Sequence, residues 1–171
     1  MNQPPAENPV RIVRKWNAYE RLALYGLCGF AAEICFTAIF EVVVMGGNRK
    51  LIGVTSVYIF FVYAFSTMVL EWIYLATKEI LPLLPLRAVI YVIVCYIFEF
   101  SSGYVLKKFD LCPWDYESFF HFHIMGLITF EYLPVWYVAS ILGEYIVIRS
   151  ALKAGWIIES GHDMNGNLKK D

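Results

Sequence analysis

Charged residues are scarce in this sequence. Asp, Glu, Lys and Arg make up 17% of its 171 residues, against about 25% in a typical soluble domain. Hydrophobic residues make up 59% of the chain, and the mean hydropathy is +0.56. A soluble domain of this length needs a polar exterior, and the chain has too few polar side chains to build one. The composition therefore indicates an integral membrane protein that has the lipid bilayer as a partner.

Basic runs and catalytic motifs are also missing. The 14 Lys and Arg residues balance 15 Asp and Glu residues and form no long basic run, so nucleic-acid binding has no support. No HExxH, GxSxG or Cys/His constellation occurs, and no GxxxxGK(S/T) phosphate loop. The sequence therefore predicts no enzyme, no cofactor and no metal site. Any ATP-driven role requires a partner chain.

Four apolar stretches are long enough to cross a hydrocarbon core of roughly 30 Å, which takes about 20 helical residues. They cover residues 22–45, 51–77, 80–106 and 124–148. The predicted fold class is all-α, a polytopic membrane protein with four transmembrane helices. The predicted divisions are a tail at 1–21, a transmembrane domain at 22–148 that includes an outer loop at 107–123, and a second tail at 149–171.

The distribution of basic residues predicts the orientation of these helices. An even number of crossings places both termini on one side, and most Lys and Arg residues lie on that side. The positive-inside rule then predicts that both termini are cytosolic. Because Pro, Asn and charged residues dominate residues 1–15, we expect this segment to be a short mobile tail.

An internal duplication is visible in the apolar stretches. Setting Gly53 over Gly126 aligns the second and fourth stretches without a gap. The first and third stretches each carry one Glu near mid-span. We expect a parallel two-plus-two repeat, whose pseudo-twofold axis along the membrane normal brings equivalent residues together; chance resemblance among aromatic-rich helices is the alternative. The paired carboxylates are Glu71 with Glu144 and Glu33 with Glu99.

Six Glu residues fall inside the predicted spans, with no Lys, Arg or His clearly at the same depth. A charged side chain at the bilayer centre costs about 2.5–3.5 kcal/mol, so they cannot all be ionised and face lipid. Protonation, hydrogen bonding in a packed interior, or a cavity that holds a cation would each relieve this cost. Small residues share the helix faces of several of them, which favours interior positions. The six are Glu33, Glu41, Glu71, Glu99, Glu131 and Glu144.

Three functions are consistent with this pattern. In the first, a homo-oligomer or a complex with a partner membrane subunit binds or passes a proton, a small cation or a lipid amine headgroup through its Glu-lined interior, where aromatic rings suit an ammonium ion. The alternative is a non-catalytic scaffold or accessory subunit in which the carboxyl groups only set helix packing. The third is an intramembrane lipid-modifying enzyme. The sequence offers acidic groups for such an enzyme but no evident nucleophile. The candidate ligand-binding residues are Glu33, Glu99, Glu131, Glu71 and Glu144.

The predicted outer loop is rich in aromatic residues with charges between them. This composition is typical of a segment in the headgroup layer, and we expect Trp114, Asp115 and Tyr116 to lie there as part of an interfacial lid. His121 and His123 carry potential metal-ligand atoms in the same loop. Their spacing matches no known metal site, so we expect them to face the headgroups instead.

Several strings in the chain carry a family resemblance. GVTSVY, FEFSSGYVLKKF, CPWDYESF and MGLITFEYLPVWY, in this order and spacing, resemble the transmembrane protein 229 family of small multi-pass animal proteins, over about residues 16–150. That family is in turn similar to bacterial proteins described as type IV ABC-transporter permeases, which carry a comparable Glu-bearing span and Trp-Asp-Tyr loop. The resemblance implies a multi-pass membrane protein with a weak pointer to transport. It assigns no activity and no residue roles.

Overall fold

The computed structural model describes residues 10–47 and 49–160. Within these residues, four helical segments are long and apolar enough to cross a membrane, which confirms the predicted fold class. The first three are α1 (Ala18–Val43), α2 (Val57–Thr77) and α3 (Leu84–Lys107), and the fourth span covers Phe130–Lys153. The outer parts of the two predicted tails, residues 1–9 and 161–171, lie outside the described residues.

The fourth span begins at Phe130, later than predicted, because residues 123–129 form a small hairpin. Its strands are β2 (His123–Ile124) and β3 (Ile128–Thr129), and Gly126 adopts a φ of 69° in the turn. Pro134 then lies in the first turn of the α-helix that follows, where its missing N–H costs nothing. The span comprises a 3₁₀ turn (Phe130–Tyr132), α4 (Leu133–Leu142), a π-helical segment (Gly143–Ile148) and α5 (Arg149–Lys153).

The two ends of the described chain meet in a second small sheet. β1 (Val10–Lys15) pairs antiparallel with β4 (Gly155–Ser160) along its whole length. The expectation of a mobile tail is therefore wrong for residues 10–15, which form a strand paired with residues near the other end of the described chain. Both ends lie together, and we call this the termini side of the bundle; the opposite side, which carries the long loop at 108–129, is the loop side.

Glu20 connects this sheet to the first helix. Asn17 caps α1 and accepts a hydrogen bond from the Glu20 backbone N–H (3.0 Å), while the Glu20 carboxylate accepts one from the Asn17 N–H (2.7 Å), which is a capping box. The same carboxylate pairs with Arg14 (2.6 Å) and accepts a hydrogen bond from the Trp156 indole (2.8 Å). One side chain thus fixes the start of α1 against β1 and β4.

The helices pack in chain order. α1 lies along α2, α2 contacts α3, and α3 contacts α4. Near the termini side the spans enclose an apolar cluster. Its fully packed members are Tyr25, Met68, Leu70, Tyr91, Ile148 and Ala151.

The helix boundaries match the predicted duplication. α1 and α3 begin at residues 18 and 84, and α2 and the fourth span begin at residues 57 and 130. These starts keep the two registers that align Glu33 with Glu99 and Glu71 with Glu144. Residues that align in the sequence therefore lie at the same distance from the start of their helices, which favours a repeat over a chance resemblance.

The contact between α1 and the loop before α2 depends on one glycine. A Cβ atom at Gly53 would lie 1.9 Å from the carbonyl oxygen of Ile34. Next to it, the Thr37 hydroxyl donates to the Val54 carbonyl (2.8 Å) and accepts from the Val54 N–H (3.0 Å). The backbone of this loop thus lies directly against α1, and no side chain fits between them.

We predict that Gly53→Ala lowers the free energy of unfolding by about 1–3 kcal/mol, because the added methyl group forces the loop away from α1. Gly143→Ala is the matched control, since a Cβ there meets no atom within 4 Å and Ala is the better helix former. Thermal unfolding of the purified variants in detergent measures both changes. Equal stability of the two variants would contradict the close approach.

Candidate functional site

Glu71 is paired with a cation near the termini side. The Arg21 guanidinium donates to both of its carboxylate oxygens, with Nε–Oε2 at 2.8 Å and Nη2–Oε1 at 2.9 Å, and the Tyr25 hydroxyl donates to Oε2. Arg21 and Tyr25 belong to α1, and Glu71 to α2. This bidentate geometry is the strongest form of Arg–carboxylate pairing.

Glu144 makes the same arrangement in the second half of the chain. Arg87 donates from Nε (2.9 Å) and Nη2 (2.6 Å), and Tyr91 donates from its hydroxyl (2.6 Å). Arg149 adds a further bond of 2.6 Å. Arg87 and Glu144 are each only 1% exposed, so this ion pair is fully enclosed by the helices.

These two networks correct the expectation that no cation lies at the depth of the carboxylates. Arg21 and Arg87 start from the first turns of their helices, where the sequence places them in the basic flank, but their long side chains reach into the bundle. Glu71 and Glu144 are thereby neutralised and are unsuited to bind a further cation. The sequence contains a usable signal for these networks. An Arg and, four residues later, a Tyr occur at the same distances before Glu33 and before Glu99, so both halves carry the same Arg–Tyr pair.

Glu33 and Glu99, in contrast, have no basic partner among the described residues. The Tyr63 hydroxyl donates to Glu33 Oε2 (2.9 Å), and the Tyr116 hydroxyl donates to Glu99 Oε1 (2.7 Å). Both residues line the same cavity. The structure therefore brings together this predicted pair, nearer the loop side than the ion pairs.

Both carboxyl groups line a cavity of about 390 Å³ that is enclosed by residues of all four spans and the long loop. Its walls are mainly apolar and aromatic, and no Lys, Arg or His is among its lining residues. A single water occupies about 30 Å³ in the liquid, and small-molecule sites measure about 300–1,000 Å³. The cavity is thus large enough for an organic molecule.

Three buried polar atoms that belong to residues of the cavity wall have no hydrogen-bond partner. They are Glu99 Oε2, Trp136 Nε1 and Ser140 Oγ. The Trp136 indole lies near the Glu99 carboxyl but makes no hydrogen bond of normal geometry to it. Leaving such groups unpaired costs about 1–3 kcal/mol each, so a polar guest that paired with them would remove this cost.

The long loop reaches further into the bundle than an interfacial segment would. The Trp114 indole donates to the Leu127 carbonyl (3.0 Å) and packs over Gly103 of α3. Trp114 and Tyr116 both line the cavity, whereas Asp115 is exposed at the surface. Burial, together with the Glu99 carboxyl, raises the pKa of the Tyr116 hydroxyl, so this group stays protonated and donates its hydrogen bond.

Glu131 does not join the other candidates. Its carboxylate accepts hydrogen bonds from the backbone N–H groups of His121 and Phe122, each at 3.0 Å, and from the Thr129 hydroxyl. It does not line the cavity. Glu131 therefore fixes the loop to the start of the fourth span, and its expected role in binding is replaced by a structural one.

No group of three potential metal ligands comes together in residues 10–47 and 49–160. No protein-family model matches the chain, and no solved structure matches it. The cavity and its two tyrosine-bound carboxyl groups therefore carry the functional argument.

We predict that Arg87→Met lowers the free energy of unfolding by about 3–5 kcal/mol, because it removes two hydrogen bonds from a buried carboxylate. The double variant Arg87→Met/Glu144→Met regains most of this loss, since the only charge that it leaves without its partner is Arg149, whose side chain is 33% exposed. Unfolding in detergent, followed by circular dichroism, measures both values. A double variant that is less stable than the single one would show that the ion pair contributes net stability.

Proposed function

We propose that this multi-pass membrane protein binds an organic ammonium ion in the cavity between Glu33 and Glu99. The observation that carries this proposal is a cavity whose wall has two carboxyl groups, one of them with an unpartnered oxygen, and no cationic side chain. An ammonium ion supplies both the missing positive charge and the missing hydrogen-bond donors. Carboxylates in an apolar setting otherwise have to stay protonated or go unpaired.

The aromatic residues around the cavity support an organic cation over a metal ion. Tyr132, Trp136 and Phe36 line it beside the carboxyl groups, and ring faces attract ammonium groups. Metal ions in contrast require several oxygen or nitrogen ligands at short distances. The volume also exceeds what a proton or a bare ion needs. Among the ligands that the sequence suggests, an amine-bearing lipid headgroup or a related amine fits best.

The apolar cluster and the ion pairs near the termini side limit the passage of ions through the bundle in the described conformation. Below the cavity, the apolar cluster around Tyr25 and Ile148 fills the bundle, and the neutralised Glu71 and Glu144 follow. The polar path that passage of an ion through the Glu-lined interior would require is interrupted there. We therefore propose binding as the activity, and transport only through a second conformation.

The remaining expectations are part of this proposal. The excess of Lys and Arg on the termini side supports a cytosolic position for both ends. The resemblance to the transmembrane protein 229 family supports a small multi-pass membrane protein. A second copy or a partner subunit is a separate part of the proposal. In a non-catalytic scaffold, by comparison, the cavity would have no specific guest, and the test below separates the two functions.

We predict that butylammonium binds saturably to the wild-type protein in lipid nanodiscs and changes its Trp fluorescence, because Trp114 and Trp136 line the cavity. Glu99→Gln weakens this binding about tenfold or more, since it removes the counter-charge, equivalent to about 1.4 kcal/mol. Glu33→Gln has the same direction of effect. Butanol, which has the same chain but no charge, does not saturate.

Glu117→Gln is the matched control, because it removes an exposed carboxylate of the long loop that does not line the cavity. It leaves the affinity for butylammonium unchanged. Sodium and potassium chloride compete only weakly if the site selects an organic cation. Absence of saturable binding to the wild type, or full affinity in the double variant Glu33→Gln/Glu99→Gln, would favour the scaffold.

A further inference from the structure

The two helices that flank the cavity on one side are poorly packed against each other. α1 lies closely along α2, but its backbone hardly approaches that of α4. Both helices nevertheless contribute cavity-lining residues, such as Ala32 from α1 and Ala139 from α4. A seam therefore runs between α1 and the fourth span, with the cavity behind it.

Aromatic and apolar contacts close this seam at its two ends. On the loop side, Phe36 and Phe40 of α1 pack edge-on against Tyr132 with ring centroids 5.4 and 6.2 Å apart. On the termini side, Tyr25 meets Ile148 in the apolar cluster. Any opening is thus restricted to the middle of the spans.

Residues of the cavity wall are exposed at the outer surface along the middle of the seam. Val135 and Leu142 are 44% and 49% exposed, and Ala32 and Ala139 are exposed as well. At Gly143 a Cβ would meet only open space. We call this set of residues the window. Because it lies at mid-span, it faces hydrocarbon when the helices cross a bilayer.

The equivalent seam in the other half of the repeat is closed. The pseudo-twofold relates the α1–fourth-span seam to the α3–α2 seam, and these two helices are in contact. The residues equivalent to Ala32 and Ala139 are Phe98, which is half-buried, and Ser66, which is buried. The opening is therefore a specific departure from the symmetry of the duplication. Glu33 and Glu99 line the cavity behind this opening.

Building on the proposed ammonium site, we infer that the ligand is a membrane-dissolved amphiphile with a long alkyl chain. Its ammonium group lies between Glu33 and Glu99, and its chain extends through the window into the bilayer. The apolar cavity wall favours the chain. The alkyl chain of such a ligand stays in hydrocarbon before and after binding, whereas a soluble amine has to be transferred from water into the site. Access is lateral, along the plane of the membrane.

Two pairs of variants test this inference with butylammonium and dodecylammonium as probes in nanodiscs. Ala32→Phe fills the window, whereas Ala31→Phe places the same side chain on the adjacent, exposed position that does not line the cavity. We expect Ala32→Phe to weaken dodecylammonium binding about tenfold or more, and Ala31→Phe to change it by less than about twofold. Ala139→Phe and its control Val138→Phe, which is exposed outside the cavity wall, repeat the test from the opposite helix.

Thermal unfolding verifies that the four variants fold. Comparing variants at one chain length cancels the stronger partitioning of longer amines into the bilayer. If both window variants bind dodecylammonium as tightly as their controls, lateral access is overturned, while saturable butylammonium binding still upholds the ammonium site. If no amine binds the wild type, the ammonium site itself fails. A dimer that dissociates in Ala32→Phe but not in Ala31→Phe would identify the seam as a contact between two copies and also overturn the inference.

Discussion

A carboxylate inside a membrane protein has to be neutralised, because neither lipid nor a packed interior solvates its charge. The structure solves this problem in two ways at two depths. Near the termini side, Glu71 and Glu144 each receive a bidentate Arg and a Tyr hydroxyl. Nearer the loop side, Glu33 and Glu99 receive only one Tyr hydroxyl each. The charge of Glu71 and Glu144 is thus neutralised within the protein, whereas Glu33 and Glu99 can accept further hydrogen bonds or a cation.

This difference separates structural from functional use of the same residue type. An enclosed Arg–carboxylate pair holds two helices in register, and a change to either partner leaves a buried charge. It is poorly suited to bind and release a ligand. A carboxyl group that has one hydrogen bond and an adjacent cavity is already desolvated, yet it keeps unused hydrogen-bond capacity. An ammonium group that enters the cavity therefore gains an ion pair without displacing a strong internal partner.

The sequence predicts the four spans and the shared cavity position of Glu33 and Glu99, for physical reasons. It does not predict the Arg and Tyr partners of Glu71 and Glu144. Span length follows from bilayer thickness, and the duplicated register follows from Gly53 and Gly126. The role of Arg21 and Arg87 could not be read from hydropathy, because a residue in the first helical turn can extend its side chain either towards water or into the bundle. The contact of Tyr116 with Glu99 was equally hidden, since it depends on a loop that folds back into the helices. The start of β1 shows the same limit, because its pairing partner lies at the opposite end of the chain.

The two halves of the predicted repeat supply the hydrogen-bond partner of the mid-span Glu in different ways. In the first half, Tyr63 of α2 donates to Glu33. Its counterpart in the second half is Trp136, whose indole makes no hydrogen bond, and the long loop supplies Tyr116 to Glu99 instead. Because this loop also carries Trp114 over Gly103, a movement of the loop would uncover Glu99 and alter the cavity wall together. The two halves thus reach the same result by different routes, with one Tyr hydroxyl for each carboxyl group and no basic partner among the described residues.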